Sequence, residues 1–150
     1  MEQALAFESV NQLLMLLGGD DMFATVDLCV LDLNACTAAF SKLGGCDSFL
    51  VRRGALTRVD GGRLPMGILE GVKPAGATLR LQPGDTLVMM TDGLFDASRD
   101  GERAFIEQAI LAHAGESPQA LCEALAGLSL ERQGQARDDI TVMAARIGKS

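Results

Sequence analysis

The chain has 150 residues, of which 48% are hydrophobic and 22% charged, and its formal net charge is −7 at neutral pH. This length is typical of one domain with a core of its own, and the composition argues against an intrinsically disordered chain. Because no basic run is longer than Arg52-Arg53, the charge pattern sets aside a nucleic-acid-binding protein.

The histidine count limits the possible catalytic chemistry, and the N-terminal sequence and the cysteines bear on the cellular compartment. A single histidine, His113, leaves little room for a histidine-ligated zinc site or for a triad with an imidazole base. The first residues lack the positive charge of a signal peptide, and the longest early apolar run, Leu13 to Leu17, is far shorter than a membrane span. We therefore expect a cytoplasmic protein without a membrane segment. Four cysteines without a C-x-x-C spacing are expected to be reduced residues of the core or of strands: Cys29, Cys36, Cys46 and Cys122.

The first ninety residues predict one helix followed by strands. Apolar residues at helical spacing from Leu5 to Leu17 predict a helix that stops at Gly18-Gly19. Alternating and β-branched residues then predict hairpins, and a continuous apolar run predicts a fully buried strand. The predicted strands are Met22–Leu33, Ala35–Leu43, Ser48–Arg52, Ala55–Val59, Ala77–Leu81 and Thr86–Thr91, with a loop at Leu64–Ile68 and a turn at Pro83-Gly84-Asp85.

The last third of the chain changes to helical periodicity. Helices are predicted over Glu102–His113 and Pro118–Leu128, the second with Ser117 as its N-cap. A final strand is predicted over Asp139–Ile147. A helix, several strands, two helices and a strand predict an α+β fold with a mostly antiparallel sheet.

Two acidic motifs flank predicted strands near the end of the chain. Asp92 follows a buried strand, with Gly93 after it to allow a sharp turn, and Asp138-Asp139 precede the final strand. If these strands are antiparallel neighbours, the end of one meets the start of the other. Carboxylates gathered there repel one another unless a cation is present, and oxygen ligands suit Mg²⁺ or Mn²⁺. Either motif by itself is more often a turn or a solvated loop.

Five segments of the chain form an ordered set that covers essentially its whole length. They are Phe23-Ala24-Thr25-Val26-Asp27-Leu28, Leu64-Pro65-Met66-Gly67-Ile68, Leu81-Gln82-Pro83-Gly84-Asp85, Met89-Met90-Thr91-Asp92-Gly93-Leu94-Phe95-Asp96 and Arg137-Asp138-Asp139-Ile140-Thr141-Val142. In order and spacing this set resembles the metal-dependent serine/threonine phosphatases of the PPM (type 2C) superfamily. The likeness is closest to the SpoIIE branch of that superfamily.

The resemblance implies a fold and a chemistry. The fold is an incomplete α/β/β/α sandwich, with mostly antiparallel sheets flanked by helices. The chemistry is hydrolysis of phosphoserine or phosphothreonine by a water that two Mn²⁺ or Mg²⁺ ions activate, which needs no protein nucleophile. By this matching Asp92 and Asp138 fall on metal-ligand positions. Asp139 is then a neighbour that begins the strand. Asp96 is a candidate to orient the metal ligands without itself contacting the metal.

The resemblance also implies partners. In the family the substrate is typically a phosphorylated anti-sigma-factor antagonist, so we expect a phosphorylated regulatory protein as substrate, in bacterial sporulation or stress response. The family's N-terminal Asp-Gly-x-Gly motif, whose Asp bridges both metals, does not occur here. We therefore expect residues 1–150 to form a single domain that lacks the opening strands, with weak or no hydrolysis. Uncovered sheet edges favour a homodimer or larger species. The alternative is a non-catalytic protein-interaction module derived from the phosphatase fold.

Two further acidic positions have more than one interpretation. Asp27 lies in the middle of a predicted strand, where a buried carboxylate needs partners. It either points into the cleft of the fold or lies at a strand edge that faces water. Asp60-Gly61-Gly62 resembles the absent motif but stands in the wrong order, so we predict a turn there.

Overall fold

The computed structural model describes residues 2–17, 22–62, 64–94, 101–134 and 138–148. These ranges contain α helices and mostly antiparallel strands in two sheets, which confirms the α+β class. In chain order the elements are α1 (Glu2–Leu17), β1 (Val26–Asp32), β2 (Thr37–Leu43), β3 (Ser48–Arg52), β4 (Ala55–Val59), β5 (Ala75–Arg80), β6 (Thr86–Met90), a 3₁₀ turn (Asp92–Leu94), α2 (Glu102–His113), α3 (Pro118–Gln133) and β7 (Val142–Arg146).

The chain divides into two compact units. The first comprises Met1–Cys46 and Val59–Arg80, and the second comprises Asp47–Arg58 and Leu81–Ser150. The first unit contains α1 and a three-stranded sheet in the order β1-β2-β5. The second contains a four-stranded sheet in the order β4-β3-β6-β7, together with the 3₁₀ turn, α2 and α3.

The predicted hairpin of β1 and β2 is present and antiparallel. Its turn is closed by Asp32, whose Oδ1 accepts two backbone N–H groups of the turn at 2.9 and 2.8 Å. β1 begins at Val26, four residues later than predicted. The reason is that Ala24 exchanges two backbone hydrogen bonds with Met66, of 3.0 and 2.9 Å, so the chain before β1 pairs with the Leu64–Ile68 loop instead.

α1 ends at Leu17, in agreement with the predicted stop. Its buried polar residue is Asn11, whose Oδ1 accepts the N–H of Gly67 at 2.8 Å and whose Nδ2 donates to the carbonyl of Leu69 at 3.0 Å. The helix therefore holds the loop that follows residue 62 through one amide group. Several large apolar side chains of α1 are exposed: Leu5, Val10, Leu13, Leu16 and Leu17.

β6 is a buried interior strand of the second unit's sheet, as its continuous apolar sequence predicts. It pairs antiparallel with β3 on one side and with β7 on the other. Val88 of β6, Ile110 of α2 and Leu121 and Leu125 of α3 are each 1% exposed or less. Burial of these aliphatic side chains holds the two helices in this unit, since each buried side chain of this size contributes about 1.5–3 kcal/mol.

The helix boundaries show where local signals are sufficient. α2 occupies the predicted residues, and α3 begins where predicted, with the Ser117 hydroxyl accepting the N–H of Ala120 at 3.2 Å. α3 continues to Gln133, five residues beyond the prediction. Gly127 is accommodated inside the helix, and the helix ends at Gly134, whose N–H donates to the carbonyl of Leu130 at 2.9 Å. A glycine cap of this kind is a common end signal.

The cysteines and the hydropathy of the helices can be compared with the sequence. The four cysteines are free thiols, as expected, but not all are strand or core residues. Cys29 lies in β1, whereas Cys36 is exposed in the turn between β1 and β2, and Cys46 and Cys122 are half-buried outside the strands. Within the described ranges, no helix combines the length and the hydropathy that crossing a membrane requires.

Candidate functional site

The 3₁₀ turn after β6 is tied to the segment that leads into β7. Thr91, the residue directly after β6, donates its N–H to the carbonyl of Thr141 at 3.0 Å. Its hydroxyl donates to the carbonyl of Asp139 at 3.0 Å and accepts the N–H of Thr141 at 2.9 Å. A side-chain oxygen thus replaces a carbonyl of the ladder, and β7 begins at Val142 instead of at Asp139 as predicted.

Gly93 lies in close contact with the peptide that joins Asp138 to Asp139. A Cβ at position 93 would lie 2.3 Å from the carbonyl oxygen of Asp139 and 3.2 Å from the carbonyl carbon of Asp138. Gly93 is not among the glycines with a positive φ. Glycine is therefore needed here for space, and not for the unusual backbone conformation that its place after a strand suggested.

The two acidic motifs are consequently brought to one edge of the second unit's sheet. β6 and β7 are antiparallel neighbours with Met90 opposite Val142, so the end of one meets the approach to the other. Asp92 and Asp138 are both exposed. Asp138 accepts the N–H of Asp139 on Oδ1 at 2.8 Å, which orients its carboxylate.

The donor chemistry of this edge suits a hard divalent cation, because both side chains offer carboxylate oxygens and Mg²⁺ retains several waters when bound. Two protein carboxylates are nevertheless fewer than a closed site provides. In the part of the chain that the structure describes, no three His, Cys, Asp or Glu side chains form a metal-binding group. The described residues thus fit one side of a cation site.

α3 supports the 3₁₀ turn through two polar side chains that the sequence analysis did not single out. The hydroxyl of Ser129 donates to the carbonyl of Leu94. The amide Nε2 of Gln133 donates to the carbonyl of Gly93 at 3.1 Å and to Oγ of Ser129 at 2.8 Å. Ser129 and Gln133 stand one helical turn apart and therefore lie on one face of α3, which is the sign in the local sequence that they can act together.

Three further acidic residues that the sequence points to are Asp27, Asp60 and Asp96. Asp27 belongs to the first unit, in β1, where its carboxylate is ion-paired with Nζ of the fully buried Lys42 on β2. The two residues are direct cross-strand partners, so the sheet register itself makes the pair. Asp96 falls outside the described residues. Asp60 closes a turn with the N–H of Gly62 at 3.0 Å, as predicted.

A buried carboxylate that anchors the start of β6 is also present in the second unit. Arg52 donates from Nε and Nη2 to the two oxygens of Asp85 at 2.8 and 2.6 Å, and the Gln82 N–H donates to Oδ2 at 2.8 Å. Burial by itself raises the pKa of Asp85. The hydrogen bonds from Arg52 and Gln82, with the charges of Arg52 and Arg53, outweigh burial and hold the pKa of Asp85 below its usual range.

Comparisons with known proteins agree with this architecture. The family profile of Stage II sporulation protein E (SpoIIE) matches residues 2–148. Stage II sporulation protein E of Bacillus subtilis (strain 168) is 29% identical over 150 residues, and that of Priestia megaterium is 30% identical over 152 residues. Each alignment includes 98% of this chain but only 18% and 26% of those two proteins, respectively.

The phosphatase domain of Bacillus subtilis SpoIIE, in its Mn-presoaked form, has a similar structure. The TM-score is 0.77 at 25% sequence identity, and the match covers 100% of this chain and 68% of that one. Because the family profile covers nearly the whole chain and the α+β architecture agrees, the chain belongs to the SpoIIE family of type 2C (PPM) serine/threonine phosphatase domains.

Proposed function

We propose that residues 1–150 act as one phosphatase-type domain that hydrolyses phosphoserine or phosphothreonine, with Mn²⁺ or Mg²⁺ held by Asp92 and Asp138. Family membership supports this proposal. The observation that carries it is the close contact between Gly93 and the Asp138-Asp139 peptide, because it joins the two acidic motifs at one edge.

Each residue of this edge has a distinct task in the proposal. Asp92 and Asp138 supply negatively charged oxygens, while Thr91 and Gly93 fix the distance between their backbones. A bound divalent cation would neutralise phosphoryl oxygens and activate water for attack on phosphorus. No histidine or nucleophilic side chain is needed for that chemistry, in keeping with the single histidine of the chain.

The substrate of the whole protein is proposed from the same family resemblance. We infer a phosphorylated regulatory protein, an anti-sigma-factor antagonist, acting in the cytoplasm during sporulation or stress. The family name, Stage II sporulation protein E, supports the link to sporulation.

Mn²⁺-dependent turnover by the purified chain tests the proposal. We expect slow hydrolysis of p-nitrophenyl phosphate and of a phosphoserine protein when Mn²⁺ is added, and loss of both in Asp92→Asn and Asp138→Asn. Asp60→Asn is the matched control, because the Asn side chain can still accept the N–H of Gly62 in its turn. Turnover that is independent of Mn²⁺, or equal in Asp92→Asn and the wild type, would overturn the assignment.

A second function, a non-catalytic protein-interaction module, is favoured by two other observations. The described residues offer no three-ligand metal group, and α1 exposes large apolar side chains. In this alternative the chain shows no Mn²⁺-dependent turnover. With either function we propose that the chain associates as a homodimer or larger species. Size-exclusion chromatography with light scattering measures the oligomeric state, and a clean monomer at tens of micromolar would contradict the proposed association.

A further inference from the structure

Two side chains of α3 and two carbonyl groups of the 3₁₀ turn form a closed hydrogen-bond network. Gln133 donates both N–H bonds of its amide nitrogen, one to Gly93 and one to Ser129, and Ser129 passes its own hydroxyl hydrogen on to Leu94. The directions are mutually consistent, since a hydroxyl that donates to a carbonyl must accept from the amide. Every donor in the network therefore has a partner.

The network lies in the interior of the second unit. Ser129 is 2% exposed and Leu94 is 1% exposed. A buried carbonyl that loses its hydrogen-bond donor cannot bond to water instead. The conformation of the turn therefore depends on these two donor side chains. The turn in turn carries Asp92, the residue directly before Gly93.

α3 is itself fixed at the same end. Arg132, next to Gln133, donates from Nε to the nearly fully buried carboxylate of Glu102 at 2.9 Å, and its guanidinium stacks 4.3 Å from the centre of the Phe105 ring. This pairing joins the end of α3 to α2. The helix is consequently a rigid support for the turn.

We propose that Ser129 and Gln133 are positioning residues, which hold the 3₁₀ turn and thereby set the affinity of the Asp92 edge for a divalent cation. The inference rests on the proposed function, because it assumes that Asp92 is a ligand. Neither side chain touches the cation or the substrate. Their effect passes through the carbonyls of Gly93 and Leu94, as hydrogen-bond partners behind a metal ligand commonly act.

A titration of the purified chain with Mn²⁺ tests this inference. The electron paramagnetic resonance signal of free Mn²⁺ measures how much of the ion is bound. Gln133→Met keeps the length of the side chain and removes both donors. Gln119→Met is the matched control, because Gln119 lies on the same helix and its amide donates to the exposed Glu123. We expect Gln133→Met to weaken Mn²⁺ binding by about 10-fold and Gln119→Met to leave it unchanged. Ser129→Ala should weaken binding as well, and Ser129→Thr should restore it.

Hydrogen exchange at the Leu94 amide of the metal-free chain provides a second readout that needs no cation. We expect faster exchange in Gln133→Met, at temperatures where circular dichroism shows the variant to be folded. Wild-type affinity for Mn²⁺ in a folded Gln133→Met, with an Asp92→Asn variant that has lost it, would overturn the positioning role and leave the proposed function intact. Binding that Asp92→Asn does not change would overturn both.

Discussion

The α-carbon of Gly93 lies against the carbonyl group of Asp139, at a separation that leaves no room for any side chain. A Cβ would lie 2.3 Å from the oxygen and 2.8 Å from the carbon of that carbonyl. Both groups are backbone, so the contact cannot be relieved by rotating a side chain. The two acidic segments can approach each other this closely only because residue 93 has no Cβ atom.

Replacement of Gly93 by alanine should force these segments apart. We expect Gly93→Ala to lower the free energy of unfolding by about 2–3 kcal/mol, measured by urea denaturation. Gly127→Ala is the control, because Gly127 lies within α3 with open space around its α-carbon. That change should raise stability by about 0.5–1 kcal/mol. Equal stability of Gly93→Ala and the wild type would show that the contact is not tight.

Thr91 should be sensitive to loss of its hydroxyl and insensitive to loss of its methyl group. Thr91→Val removes a donor to Asp139 and an acceptor for Thr141, so we expect a loss of about 1–2 kcal/mol. Thr91→Ser retains both hydrogen bonds and should cost markedly less. Urea denaturation of the two variants makes the comparison, and the opposite order of stability would contradict the bridging role.

The Arg52–Asp85 pair should make stability depend on acid pH. Because the pKa of Asp85 is lower in the folded protein, its contribution to stability is present above the unfolded value, about 3.9, and is lost as pH falls through the folded value. Asp85→Asn should therefore cost about 2–3 kcal/mol at pH 7. The difference from the wild type should narrow as the pH falls below about 4. A difference that widens in acid would contradict the direction of this pKa shift.

Asn11 should contribute to stability through both ends of its amide. Asn11→Leu leaves the N–H of Gly67 and the carbonyl of Leu69 without these partners, and we expect a loss of about 2–3 kcal/mol. Gln12→Leu, at the next and exposed position of α1, is the control and should change stability little. Thermal or urea unfolding measures both variants. Similar losses in the two would mean that Asn11 does not hold the loop.

Local sequence signals were sufficient for some elements and insufficient for others. β3 and β4 have the limits that the sequence predicts, because the two residues between them, Arg53-Gly54, form a turn that local sequence signals identify. The start of β1 does not follow from the local sequence, since Ala24 pairs with Met66, which is distant in sequence. The sequence predicts an end of α3 at Leu128, five residues early, because Ser129 and Gln133 bond to a turn that is distant in sequence.

The candidate site was predictable only in its outline. That Asp92 and Asp138 should meet follows from one assumption, antiparallel pairing of β6 and β7, and the structure has that pairing. The support from Ser129 and Gln133 could not be foreseen, because these residues are 35 and 40 positions away from the carbonyls they bind. Their helical spacing does not indicate which carbonyl groups they bond to.

The central claim, that Asp92 and Asp138 hold the same divalent cation, is tested most directly by Mn²⁺ titration of single and double variants. Asp92→Asn, Asp138→Asn and the double variant are compared with the wild type by electron paramagnetic resonance. If one ion contacts both carboxylates, each single change should abolish most of the binding, and the double change should add little to either. Wild-type Mn²⁺ binding in Asp138→Asn, or two losses that simply add, would contradict a shared site.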